Sequence, residues 1–232
     1  MISQNLLSLP LVSGESINEL AVAPPVVVAS ALHEDSVMPA NSSECPILLR
    51  PFRVTDAAPM YDAARESIGQ LRAWMTWCNS NYQFRDAENF VSQCEAAWER
   101  GGHYSFAIVE NHTQQFLGSI GLSQLNLTHR CGNVGYWVRD SAAGRGIATA
   151  ATRLLARFAF QELGLCRLEF LIAAGNMASQ RVAQKAGAKF EGLLRNRLRL
   201  NGTCHDAALF GLVAGARSGL TVLNMTLPTQ CS

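Results

Sequence analysis

The stretch RDSAAGRGIATAATRLLARFAF, Arg139 to Phe160, sets a short glycine-bearing loop directly in front of a periodic helix. Ile147, Ala151, Leu154, Leu155 and Phe158 recur at helical spacing on one stripe, and Gly164 follows as the closing glycine. A loop that feeds a helix start exposes unpaired backbone N–H groups, and the helix dipole adds about half a positive charge there. That end suits a phosphate, and Gly144 and Gly146 let the backbone approach it, with Arg145 as a cation alongside. A simple tight turn explains the two glycines equally well. A P-loop is excluded, because Ile147 and Ala148 stand where Lys and Ser/Thr would follow the second glycine. A dinucleotide fingerprint is excluded by Thr149 and by the β-rich segments that precede the loop.

Those segments are HYSFAIVE, QQFLGSIGLSQL and RCGNVGYWVRD, three runs of strand-forming residues with turn residues between them, which predict an antiparallel meander. Upstream, Ile47 to Phe52 reads as a strand and Thr55 as the cap of a helix running to about Gly69. DAENFVSQCEAAWERGG reads as a second helix, stopped by Gly101 and Gly102. Downstream come a strand RLEFLIAA, a helix NMASQRVAQKAG, and two strands joined at Asn201-Gly202, a strong hairpin signal. The order β, α, α, β, β, β, α, β, α, β, β describes a mixed α+β domain over residues 46–214, with an N-terminal extension at 1–45 expected to be poorly ordered and a tail at 215–232.

Composition narrows the function. Lys plus Arg is 19 against 18 Asp plus Glu, so no charge excess points to nucleic acid or an acidic membrane surface. With 48% hydrophobic and 16% charged residues, and no apolar run near the ~20 residues of a membrane span, the chain reads as a soluble globular protein. Seven cysteines without a C-x-x-C pair or a His partner at ligand spacing argue for reduced thiols and against a metal site. The N-terminus lacks a basic n-region, so a cytoplasmic location is expected and the N-x-S/T sequons at Asn41, Asn111, Asn126, Asn201 and Asn224 are read as chance.

LLRPF, LRAWMTW, GYWV, GRGIATAA, RLEF, NMASQRVAQKAGAKFEGLLR and NGTCHDAALFGL, in this order over residues 46–214, resemble the GNAT acetyltransferase superfamily, within it the branch of bacterial ribosomal-protein N-terminal acetyltransferases. The resemblance implies the GNAT fold, a mixed, mostly antiparallel sheet flanked by helices, and acetyl-CoA as co-substrate without a metal. It implies that the loop from Ser141 through Gly144, Arg145, Gly146, Ile147 and Ala148 holds the pyrophosphate, and that Val138 pairs its backbone with the pantetheine arm. In this family that strand and the RLEF strand splay apart to leave the cofactor slot. Ser141 departs from the Gln or Arg common there.

The resemblance also implies an Asn176-x-x-Ser179 motif, with Asn176 against the pantetheine region and Ser179 near the sulfur; from residue type alone, Asn176 is equally a helix cap. Relatives often carry glutamate where this chain has Asn133, and an amide cannot take a proton at neutral pH. Glu169 is the alternative base, and His103, His129 and His205 are relays that no spacing distinguishes. Trp74, Trp77, Tyr136 and Arg195 are expected to bind the acceptor, and Arg195, Arg197 and Arg199 alternate on a strand, so all three are expected to share a face that attracts an acidic acceptor. The implied reaction is acetyl transfer to a protein N-terminal α-amine of the ribosomal-protein type. A small-amine acceptor, such as an antibiotic, polyamine or amino sugar, is the alternative, and a non-catalytic acyl-CoA-binding module is a third. A monomer or homodimer is compatible with all three.

Overall fold

The computed structural model describes residues 2–3 and 46–215; the expected N-terminal extension, apart from residues 2–3, and the C-terminal tail lie outside the described residues. The helices and strands are β1 (Ile2–Ser3), β2 (Ile47–Pro51), α1 (Ala57–Glu66), α2 (Ile68–Trp74), α3 (Phe84–Glu99), β3 (Tyr104–Glu110), β4 (Phe116–Asn126), β5 (Cys131–Val138), α4 (Ile147–Gln161), β6 (Arg167–Ala173), α5 (Met177–Ala186), β7 (Lys189–Leu200) and β8 (Thr203–Val213). The strands form one sheet in the order β2-β3-β4-β5-β6-β8-β7, with β1 paired to β5. All pairings are antiparallel except β5 with β6. The meander, the long helix and the hairpin at Asn201-Gly202 stand as the sequence predicts.

The first helical stretch differs. Thr55 lies in a 3-10 turn over Val54–Asp56 that the Asp56 carboxylate closes by accepting the Arg53 N–H at 2.7 Å, and α1 follows directly without a side-chain cap. Arg50 then holds Asp56 through two buried bonds of 2.6 and 2.8 Å. The helix does not reach Gly69 unbroken, because the Ser67 hydroxyl donates back to the Ala63 carbonyl at 2.7 Å and α2 restarts at Ile68. Ser and Thr side chains compete with the backbone in this way and bend helices.

The two faces of the central strands carry different side chains. Under α4 and α5 lie Phe106, Ile120, Leu122, Val134 and Tyr136, all fully buried, with the Phe158 ring of α4 set 5.2 Å from Phe106. On the opposite face, toward α1–α3, the same strands present Ser105, Ala107, Ser119, Gly121, Ser123, Asn133 and Gly135 before reaching Trp137. Trp137 meets Trp77 at 5.9 Å and Phe116 at 5.9 Å, which closes that layer.

β5 and β6 pair over only three positions, Cys131↔Arg167, Gly132↔Leu168 and Asn133↔Glu169. Beyond these β5 continues to Val138 and β6 to Ala173 without bonding each other, so the sheet opens as a wedge with its vertex at Asn133 and Glu169. In that opening the backbone of β1 runs antiparallel to β5, Ile2 opposite Trp137 and Ser3 opposite Tyr136.

Candidate active site

At the open end of the wedge, β5 runs through Arg139 into a 3-10 turn at Asp140–Ala142 and then into the glycine loop. Gly144 and Gly146 take φ of +77° and +80°, left-handed conformations that cost a side-chain-bearing residue strain. Gly146 is the N-cap of α4 and supplies no side-chain cap, so the first N–H groups of a 15-residue helix face outward. Gly144, Arg145 and Gly146 are exposed, whereas Ile147 and Ala148 turn their side chains into the core. An uncapped helix start of this kind presents backbone N–H groups in the arrangement that suits an anion, and Arg145 beside it lies 3.4 Å from Glu110.

The loop is held from a distant helix. Glu66, the last residue of α1, accepts from the Ser141 N–H at 2.8 Å, from Arg139 Nε at 3.0 Å and from Arg139 Nη2. The Arg139 hydrogen bonds hold the Glu66 carboxyl down at about 2 against the opposing effect of burial, and the Ser141 N–H adds to the lowering. The Ser67 hydroxyl accepts the Asp140 N–H at 3.0 Å, so the helix break described above serves as a second anchor. Neither Glu66 nor Ser67 stands out in the sequence, because each lies more than seventy positions from the residue it holds.

On the α5 side of the wedge, Asn176 caps its helix, Oδ1 accepting the Ser179 N–H at 3.1 Å. The Ser179 and Tyr136 hydroxyls share a 2.8 Å hydrogen bond, and the Tyr136 hydroxyl also lies 3.1 Å from the Ser179 carbonyl, to which it can donate. Asn176, Ser179 and Tyr136 are all buried, and burial raises the Tyr136 phenol far above its ordinary value. Tyr136 therefore meets Ser179 on the α4–α5 face, across the sheet from Trp77. Val138 closes β5, and its strand is clasped to β4 at Gly118, where a Cβ would lie 2.2 Å from the Trp137 carbonyl.

On the α1–α3 side, the aromatic run divides. Met75 and Tyr82 belong to the core, while Trp74 and Trp77 are half-buried. Trp74 packs over Gly175, just ahead of α5, and joins the main core to the apolar cluster of the β7–β8 hairpin. Asn201 at the hairpin tip donates to the Arg72 carbonyl of α2 at 3.1 Å, so the two segments expected to read the acceptor touch each other.

Arg195, Arg197 and Arg199 are exposed, but β7 bulges between Leu194 and Leu198 and Asn196 takes a φ of +49°, so regular alternation does not carry the three onto one face. Glu169 stands at the wedge vertex opposite Asn133, its Oε1 accepting from Arg167 Nε at 2.9 Å, and Arg167 is bonded in turn to Glu191. Asn133 is buried with neither amide atom hydrogen-bonded. Among the described residues no cluster of His, Cys, Asp and Glu has a metal-binding arrangement, and no helix is long and apolar enough to cross a membrane.

Comparison with known proteins agrees with this architecture. Residues 47–189 match the acetyltransferase (GNAT) domain family. YjcK of Bacillus subtilis (strain 168), described as a probable N-acetyltransferase, is 27% identical over 169 residues, spanning 72% of this chain and 93% of its own. The ribosomal-protein-serine acetyltransferase of Escherichia coli (strain K12) is 23% identical over 155 residues, 67% of this chain and 86% of its own. Among solved structures, Mycobacterium smegmatis RimJ in complex with CoA-disulfide superposes with a TM-score of 0.66 at 26% identity, covering 72% of this chain and 82% of its own. With the sheet order, the wedge and the uncapped helix start all in place, the chain belongs to the GNAT family and is an acetyltransferase.

Proposed function

We propose that this acetyltransferase moves the acetyl group of acetyl-CoA onto the α-amine of a protein N-terminus, with a ribosomal-protein-type acceptor. The observation that carries the reading is the wedge between β5 and β6 opening directly beneath the uncapped start of α4. Backbone N–H groups of Arg145, Gly146 and Ala148 hold the pyrophosphate, with Ser141, Gly144 and Ile147 shaping the loop, and the edge of β5 that β6 leaves unpaired, up to Val138, pairs with the pantetheine arm. That edge accepts extended backbone, since Ile2–Ser3 already pairs with it. Acetyl-CoA must then displace β1, so a chain begun at Pro46 should bind it more tightly than the full chain when the two are compared by calorimetry.

The amine forms the new C–N bond at the carbonyl carbon, the C–S bond breaks, and the electron pair leaves on sulfur. Tyr136 donates its hydroxyl proton to Ser179 Oγ, which leaves the Ser179 hydroxyl to donate to that thiolate, and Asn176 fixes Ser179 through its backbone. An α-amine, with a pKa of about 8 against about 10.4 for lysine, needs less help to become neutral, which suits a site with Asn133 where relatives often carry glutamate. Trp74 and Trp77 line the acceptor side, Arg195 lies on the exposed hairpin strand beyond, and the cytoplasm is the compartment where such an acceptor is made. A monomer or homodimer serves this reaction.

The test is thiol release from acetyl-CoA with a library of N-terminal peptides and, in parallel, with polyamines, amino sugars and aminoglycosides. Peptide-dependent release is expected; turnover on small amines alone moves the assignment to a small-molecule acceptor.

A further inference from the structure

The base missing at Asn133 has a substitute in a row of polar groups that crosses the sheet at the wedge vertex. Asn133 is registered with Ser123 on β4 and with Glu169 on β6. Continuing the β3–β4 register by one residue from Tyr104↔Leu122 places His103 opposite Ser123. Four adjacent chain segments therefore align His103, Ser123, Asn133 and Glu169, neighbours separated by about 5 Å between Cβ atoms. At that spacing His103 Nε2, Ser123 Oγ and the Asn133 amide make no direct bond to one another, which leaves them to be bridged by water.

Burial and hydrogen bonding single this row out. His103, Ser123 and Asn133 are 7%, 7% and 3% exposed, and His103 Nε2, Ser123 Oγ and both amide atoms of Asn133 lack a hydrogen-bond partner. A buried water needs about two to four polar partners, and these three side chains offer four atoms. Burial holds the His103 imidazole down at about 4, so at neutral pH the ring is uncharged and can both donate and accept. Glu169 differs from its neighbours in the row: it is half-buried, with Arg167 bonded to Oε1, which gives the row one ionised end in reach of solvent.

We propose that His103, Ser123 and Asn133 are positioning residues that hold water at the wedge vertex, and that this water carries the acceptor's amine proton to the carboxylate of Glu169. As the C–N bond forms, the nitrogen gives up one proton to the water. The water passes one of its own protons to Glu169, which releases it to solvent. The base thus stands one strand away from its place in many relatives. This rests on the α-amine acetyltransferase reading, which it deepens.

The experiment compares Asn133→Leu, Glu169→Gln, their double variant, Ser123→Ala and Asn133→Glu in the full chain, with kcat, the solvent deuterium isotope effect on kcat, acetyl-CoA Kd and thermal midpoint measured for each. Glu169→Gln keeps an oxygen for Arg167. Asn133→Leu and Glu169→Gln should each lower kcat about 100-fold with acetyl-CoA Kd unchanged, the scale of a lost base. The double variant should be no slower than either single one, because both cut the same path, and Ser123→Ala should reduce the isotope effect. Asn133→Glu should restore a direct base, so that adding Glu169→Gln to it costs nothing. Multiplying losses in the double variant, or a fully active Glu169→Gln, would overturn the relay while leaving the acetyltransferase reading intact. A wild-type chain without turnover on any peptide or amine would overturn both.

Discussion

The two faces of β3, β4 and β5 are made by the same strands, yet they solve different problems. The face under α4 and α5 interleaves large apolar side chains without a gap in the pattern, from Phe106 through Ile120 and Leu122 to Val134. The face under α1–α3 is just as buried but carries serines, glycines and Asn133, and several of its polar atoms have no partner. A buried sheet face selected only for stability would be apolar on both sides. The contrast assigns tight apolar packing to one face, where the Tyr136 and Ser179 hydroxyls bond each other, and unpartnered polar groups to the other, and it can be broken by substitution on each.

The largest effect belongs to the packed face. Phe106 meets both Trp98 and Phe158, at 5.0 and 5.2 Å, so Phe106→Ala should cost about 3–5 kcal/mol in denaturant unfolding. A loss below about 1 kcal/mol would mean that this face is not the one that holds the fold. A comparable loss, about 3–5 kcal/mol, is expected for Asp56→Ala, which strands the buried Arg50 guanidinium. That pair shows what a buried charge is worth here when its counter-charge is in place, the counterpart of Ser123 and Asn133.

Smaller effects lie at the loop. Gly146→Ala forces a side chain into a φ of +80° with open space around it, so strain of about 1 kcal/mol is expected without a clash, together with weaker acetyl-CoA binding. Calorimetry of the variant with and without CoA separates the two. Glu66 adds a pH dependence. Its carboxyl titrates near 2 in the folded chain and near 4.5 when free, so its hold on the loop is complete above about pH 4.5 and is lost as pH falls toward 2. Because this carboxylate is partly exposed, the effect on stability should be under about 1 kcal/mol. Unfolding free energies measured across that range should fall less in Glu66→Gln than in the wild type.

The sequence makes the backbone of this site legible and leaves its side-chain geometry hidden. The helix after Gly146, the hairpin at Asn201-Gly202 and the order of elements along the chain follow from local periodicity and turn chemistry, which act within a few residues. The Glu66 clamp, the Tyr136–Ser179 bond across 43 positions and the His103–Ser123–Asn133–Glu169 row depend on register, which only the folded sheet fixes. His103 illustrates this most directly, since it gains significance from its place opposite Ser123 and from no spacing in the chain. The break at Ser67 and the bulge in β7 escape for the converse reason: each is a local hydrogen-bond or register choice that leaves the hydrophobic pattern nearly unchanged.

The smallest expected effect is the most discriminating. Ser119 is fully buried opposite Trp137, and its hydroxyl has no partner. On a face built for packing, Ser→Ala would delete a hydrogen bond and cost about 1 kcal/mol; on a face carrying unmet polar groups it removes a desolvated hydroxyl and should be neutral or stabilising by up to about 1 kcal/mol. Ser119 lies four residues from Ser123 along β4, away from the wedge vertex, so turnover should stay close to wild type while the thermal midpoint holds or rises. A destabilised Ser119→Ala with normal turnover would mean that the polar atoms of this face are satisfied after all, and the division of labour between the two faces would fail at its simplest point.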